Sequence, residues 1–164
     1  MHGVRRVPIA VRVGGFVLAS VLLAGSASAA SLLRNGSFQY AGDGSYNASP
    51  NARYWASWGN AARESWVSVG KDQYAATVRN WAGTNPDGGW YQDVAATPGA
   101  RYIFSCQLNA SWDFTWAMMY LKLEFLDASY QVLSVATQQL QGVGLGGWTA
   151  HESRGTAPAR SAWV

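Results

Sequence analysis

Two stretches of this chain alternate apolar and polar side chains with a period of two residues. Between Tyr102 and Asn109 the even positions are Tyr102, Phe104, Cys106 and Leu108, and the odd ones include Ser105, Gln107 and Asn109. Between Trp116 and Leu126 the odd positions are Ala117, Met119, Leu121, Leu123 and Phe125, all apolar. The even positions there mix Trp116, Met118, Tyr120 and Leu126 with the charges of Lys122 and Glu124. A β-strand turns successive side chains to opposite faces, whereas a helix repeats only every 3.6 residues or so. Each stretch is therefore a strand with one face toward a core, and such faces are buried only when a second layer covers them.

The rest of the chain repeats the theme in shorter pieces. Leu32–Phe38, Tyr54–Trp58, Glu64–Val69, Tyr74–Arg79, Trp90–Ala95, Val132–Val135, Thr137–Leu140, Trp148–Glu152 and Ala162–Val164 read as strand-like. Between them lie turn-rich stretches such as QYAGDGSYNASP, NWAGTNPDGG, Thr97-Pro98-Gly99, Asp127-Ala128-Ser129, the glycines from Gly142 to Gly147, and Arg154–Pro158. No amphipathic helical pattern of ten or more residues follows residue 30, and no internal repeat stands out. Many short strands divided by Gly and Pro turns predict an all-β sandwich or jelly roll.

The N-terminus reads differently. Arg5, Arg6 and Arg12 precede the uncharged run Val13–Leu23, which ends in GSASAA, where Ala27 and Ala29 fit the small-x-small rule for signal peptidase. Residues 1–29 are thus expected to be a secretory signal, cut before Ala30, with residues 30–164 as the exported domain. The run is too short for a stable membrane span; an uncleaved N-terminal anchor is the other reading of it. Three of the twelve basic residues lie in this leader, so nine basic residues face nine acidic ones in the remainder. A near-neutral domain without a Lys/Arg run has no electrostatic footprint for nucleic acid. Cys106, the single cysteine, sits among apolar residues and reads as a buried filler.

Six pieces carry a family resemblance: LLRNGSF (Leu32–Phe38), GGWYQDV (Gly88–Val94), PGARYIFS (Pro98–Ser105), LKLEFLDASYQVL (Leu121–Leu133), Trp148-Thr149 and TAPA (Thr156–Ala159). In this order and spacing they resemble the galactose-binding-like jelly rolls of the family 4/9/22 carbohydrate-binding modules, across Leu32 to Val164. The resemblance implies a jelly-roll β-sandwich, a polysaccharide or oligosaccharide partner, and a structural calcium near the chain ends. Where the family often has an acidic residue after Asn-Gly-x-Phe, this chain has Gln39, with Asp43 nearby. The last strand is also short.

Sugars are gripped by flat aromatic faces ringed by planar hydrogen-bonding groups. All nine Trp and all eight Tyr follow the leader, more than a core of this size needs. Trp116 and Tyr120 share a strand face, roughly 13 Å apart, with Gln107 and Asn109 on the polar side of a neighbouring strand. Trp81 and Trp112 stand in polar loops, Trp112 beside Asp113, and Tyr46 has a similar setting. These seven, Trp81, Trp112, Asp113, Trp116, Tyr120, Gln107 and Asn109, are the expected ligand contacts. Trp55, Trp58, Trp66, Trp90 and Trp148 are assigned to core or rim. His151, the one histidine after the leader, adjoins Glu152, but strand neighbours face opposite ways and form no base–orienter pair. Nucleotide-loop, zinc and nucleophile-elbow motifs are absent from the sequence. The expectation is a non-catalytic binding module; the alternatives are a structural or adhesive extracellular domain and, more remotely, a glycan hydrolase.

Overall fold

The structure, a computed structural model, describes residues 15–23, 31–44, 50–65, 74–78, 88–110, 119–140 and 147–164. Its strands are β1 (Gly15–Leu23), β2 (Ala56–Gly59), β3 (Ala61–Glu64), β4 (Ala75–Val78), β5 (Gly88–Tyr91), β6 (Arg101–Ala110), β7 (Tyr120–Leu126), β8 (Val132–Gln139) and β9 (Thr149–Thr156). They form a five-stranded sheet in the order β3-β4-β1-β6-β9 and two two-stranded sheets, β2-β5 and β7-β8. The fold is all-β. The sheets are small and open, and every pairing within them is antiparallel. No helix among the described residues is long and apolar enough to cross a membrane.

The two alternating stretches place the core. On β7 Leu121, Leu123 and Phe125 are buried, while Tyr120, Lys122, Glu124 and Leu126 are half-buried. On β6 Tyr102, Cys106 and Leu108 are buried and pack against that inner face: Cys106 and Leu108 cluster with Met119 and Leu121, and Tyr102 with Leu123 and Phe125. The hairpin β7-β8 thus lies over the five-stranded sheet as a second layer. Gly155 in β9 is needed there, because a Cβ on it would stand 2.7 Å from the Phe125 ring.

The turn between β7 and β8 is set by Asp127, whose Oδ1 accepts the N–H groups of Ser129 (2.8 Å) and Gln131 (3.0 Å). Tyr130 closes the turn at φ 59° and stacks on Trp163, with ring centroids 5.6 Å apart. Trp163 in turn bridges to Ala95 and to Leu126. Val94 and Val164 exchange two backbone hydrogen bonds of 2.9 Å, and Leu126 N–H donates to Trp163 O. The short C-terminal segment therefore links the stretch after β5 to β7, joining the two small sheets along one side.

Several expectations shift. Leu32–Phe38 is not a strand: Asn35 and Phe38 take φ values of 51° and 59°, and the segment folds as turns. Val132–Val135 and Thr137–Leu140 merge into β8. Arg154–Thr156, expected as loop, continues β9, since Gly155 lets the strand run beneath Phe125. The apolar run read as a leader forms β1 in the full chain, between β4 and β6.

Candidate functional site

Around the Asn35-Gly36-Ser37-Phe38 turns the chain gathers its most constrained side chains. Asn35 Nδ2 donates to Tyr40 O (2.8 Å) and Arg53 O (3.2 Å), and its Oδ1 accepts Tyr40 N–H (3.0 Å). An amide so engaged knits two loops together. The fully buried Phe38 packs against Trp55 (4.6 Å between centroids) and edge-on against Trp90 (5.5 Å). Trp55 Nε1 donates to Arg34 O and Asn35 O, each at 3.1 Å. Gln92 then pins Arg34: its Oε1 accepts Arg34 N–H (2.9 Å) and its Nε2 donates to Arg34 O (3.0 Å).

This framework holds Tyr54 at the surface. Tyr54 has φ 70°, a left-handed conformation costing a β-carbon residue roughly 1 kcal/mol or more. Its ring is 48% exposed, with the Arg34 guanidinium 5.2 Å and the Arg53 guanidinium 5.0 Å from its centroid. Neither guanidinium meets a carboxylate among the described residues. Two residues further on β2 begins, and its Ala56 pairs with Tyr91 of β5. On that face of the ribbon the Trp58 indole lies across Gly89, where an added Cβ would stand only 2.2 Å from the ring. The exposed Tyr91 ring stands 6.1 Å from Trp58, tilted by 50°. The chain thus presents the Tyr54 ring with two guanidinium groups, and the Trp58–Tyr91 pair on one face of the β2-β5 ribbon. Such a set offers apolar faces for stacking and planar, positively charged donors for oxygen acceptors.

The turn after Phe38 bears on calcium. Gln39 is buried, and its Nε2 donates to Ser37 O (2.6 Å) and Tyr74 O (2.9 Å). Arg63, 4% exposed, donates through Nε to Phe38 O (2.5 Å) and through a terminal nitrogen to Gln39 O, and lies over the Tyr74 ring. The Phe38 and Gln39 carbonyl oxygens accept from a guanidinium, and the Gln39 amide points its NH2 group at the Ser37 carbonyl. That donor set fits an internal cation of the chain and does not fit a hard divalent ion, which wants converging, partly charged oxygens.

Of the expected ligand contacts, Trp81, Trp112, Asp113 and Trp116 lie outside the described residues. Tyr120 is half-buried, with Lys122 Nζ 5.4 Å from its ring centroid. Gln107 and Asn109 are half-buried on β6. Since Cys106 and Leu108 face Leu121 across the core, Gln107 and Asn109 project from the outer side of one layer and Tyr120 from the outer side of the other. These three are not brought together. The cluster of Arg34, Arg53 and Tyr54, with Gln92 on the Arg34 backbone, is not evident in the sequence. Arg53-Tyr54 reads in sequence as an ordinary polar–aromatic pair, and only the turn from Ala52 to Trp55 (3.2 Å) lifts the ring outward.

His151 and Glu152 are each engaged with a neighbour on β9. His151 Nε2 is 2.7 Å from Thr149 Oγ1, and burial holds the imidazole below its ordinary pKa. Glu152 pairs with Arg154 on the other face of β9. Burial raises the Glu124 carboxyl above the usual range, with Lys122 pulling the other way. Among the described residues no group of three or more His, Cys, Asp or Glu is placed to hold a metal. No family model, curated protein or solved structure matches this chain.

Proposed function

We propose that this chain is an exported, non-catalytic carbohydrate-binding module of galactose-binding-like jelly-roll type, whose ligand site is the end of the β2-β5 ribbon. The observation that carries the reading is Tyr54, held exposed in a strained conformation between Arg34 and Arg53, two residues before the ribbon that carries the Trp58–Tyr91 pair. Strained residues at the surface collect where a ligand is clamped. A sugar ring stacks on Tyr91 or Trp58 while its oxygens accept from the guanidiniums, which favours a saccharide bearing a carboxylate. The C-terminal link between Val94–Ala96 and Leu126 supports the jelly-roll reading, as does the order of the six sequence pieces. The leader-like residues 1–29 support export. The Gln39 turn gives a structural calcium no support.

Affinity electrophoresis through gels containing β-glucan, xylan, mannan or a uronate-bearing glycan tests the proposal. Retardation by at least one glycan, lost in the double variant Arg34→Gln/Arg53→Gln, is the expected result. A folded chain that none of them retards removes the reading.

One observation favours a second reading, a structural or adhesive domain. Val132 and Val135 of β8 are 56% and 44% exposed, on a strand that pairs along one edge only among the described residues. Sedimentation decides: self-association abolished by Val132→Lys supports adhesion, and a monomer at all concentrations excludes it.

A further inference from the structure

The central strand of the five-stranded sheet is the segment that reads as a leader. β1 pairs with β6 over its whole length, from Gly15↔Ala110 to Leu23↔Tyr102, and with β4 at Phe16↔Thr77 and Val17↔Ala76. Its sequence, GFVLASVLL, contains neither charge nor proline. An interior strand satisfies the backbone N–H and C=O groups of both neighbours. Taking it away opens the β6 edge along nine residues and leaves it facing the β4 edge at Ala76 and Thr77, about 10 Å away, two strand spacings. An edge so exposed is a template for another extended chain. The floor of this slot is apolar, since Val78 of β4 and Cys106 and Leu108 of β6 are buried in one cluster against β7. A charged segment there would bury an unpaired charge, so the slot selects an uncharged one.

We infer that the space between β4 and β6 is a strand-acceptor site for an extended, uncharged, apolar peptide segment of about nine residues, antiparallel to β6, with Gly15–Leu23 as its occupant until the leader is removed. The site belongs to a different sheet from the β2-β5 ribbon and is independent of sugar binding. A partner recognised here contributes a strand, with backbone hydrogen bonds giving affinity and alternate apolar side chains giving selectivity.

Two measurements on the full chain test this. Ala19 is the register partner of Cys106, and directly opposed strand residues lie within disulfide reach. Mild oxidation of the Ala19→Cys chain is expected to give an intrachain disulfide, whereas Ser20→Cys, one residue out of phase, gives none. Absence of the Ala19→Cys bond in folded chain overturns the inference. Next, a specific protease site is placed between Leu23 and Ser31 and cut in the folded chain. Dye-labelled GFVLASVLL is then expected to exchange saturably into the cut protein, and a version with lysine at alternate positions is not. If cutting unfolds the protein, refolding on addition of the peptide supports the site and failure to refold counts against it. A cut protein that stays folded but takes up no peptide, or that dimerises instead, overturns it. Glycan retardation of the same samples is scored separately, so loss of sugar binding leaves this result intact.

Discussion

Tyr54 combines three properties that rarely coincide in one residue: a left-handed backbone, a half-exposed ring and two guanidiniums over it. Glycine at this position relieves strain of about 1 kcal/mol but adds unfolded-chain entropy of roughly 0.5–1 kcal/mol. It also forfeits two exposed cation–π contacts of about 0.5–1 kcal/mol each. Tyr54→Gly is therefore expected to lower stability by no more than about 2 kcal/mol while abolishing glycan retardation; a melt and a retardation gel on the same sample separate the two effects. Arg63 makes a contrasting case. It is buried and bonded to backbone oxygens, and Arg63→Met strands the Phe38 and Gln39 carbonyls at roughly 1–3 kcal/mol each. Because the guanidinium already supplies positive charge to that turn, neither calcium nor a chelator should move the melting temperature of the wild-type chain. A rise of several degrees with millimolar calcium would contradict this.

At the scale of elements, the hairpin β7-β8 shows what a turn residue contributes. Asp127 Oδ1 holds two backbone N–H groups, and Tyr130 must enter the left-handed region to close the turn. Asp127→Ala releases both hydrogen bonds, at a net cost of about 1–2 kcal/mol, read as a lower urea midpoint with an unchanged slope. Strands such as β6 and β7 were legible in the sequence because their alternation is a direct consequence of having one wet and one dry face. The Asn35–Phe38 turns were not, because LLRNGSF carries the apolar ends of a strand while Asn35 and Phe38 adopt positive φ under tertiary constraint. In the sequence β9 reads short, because Gly155 counts as a breaker, whereas in the fold Phe125 lies over it. The site was less legible than the fold. Surplus aromatics did signal a surface role, yet which rings stand outward depends on single turns, and those are fixed by long-range contacts such as Gln92 with Arg34. Parity along one strand likewise could not reveal that Tyr120 and Gln107 belong to opposite outer surfaces.

For the molecule as a whole, stability rests on two layers closing over one apolar interior, and pH reports on that closure. Burial raises Glu124, so its contribution is present below the ordinary carboxylate range and is lost as pH rises through the folded value. Burial lowers His151, so its contribution is present above the ordinary imidazole value of 6.5 and is lost as pH falls. The two act in opposite directions on the acid side. On the alkaline side Cys106 stands between the layers beside Met119 and Leu121, and burial pushes its thiol from 9.0 up to about 12. The unfolded chain ionises this thiol first, so stability is full below about pH 9 and declines above it; at about pH 10 the decline amounts to about 1.4 kcal/mol. Other groups also titrate there, so the informative quantity is a difference. Cys106→Ala weakens packing equally at pH 8 and pH 10, but its loss of stability between those two values should be smaller than that of the wild type by about 1.4 kcal/mol. Urea unfolding of both proteins at both pH values measures it. An equal alkaline loss in the two proteins would mean that water reaches the thiol and that β7-β8 does not seal the face of β6.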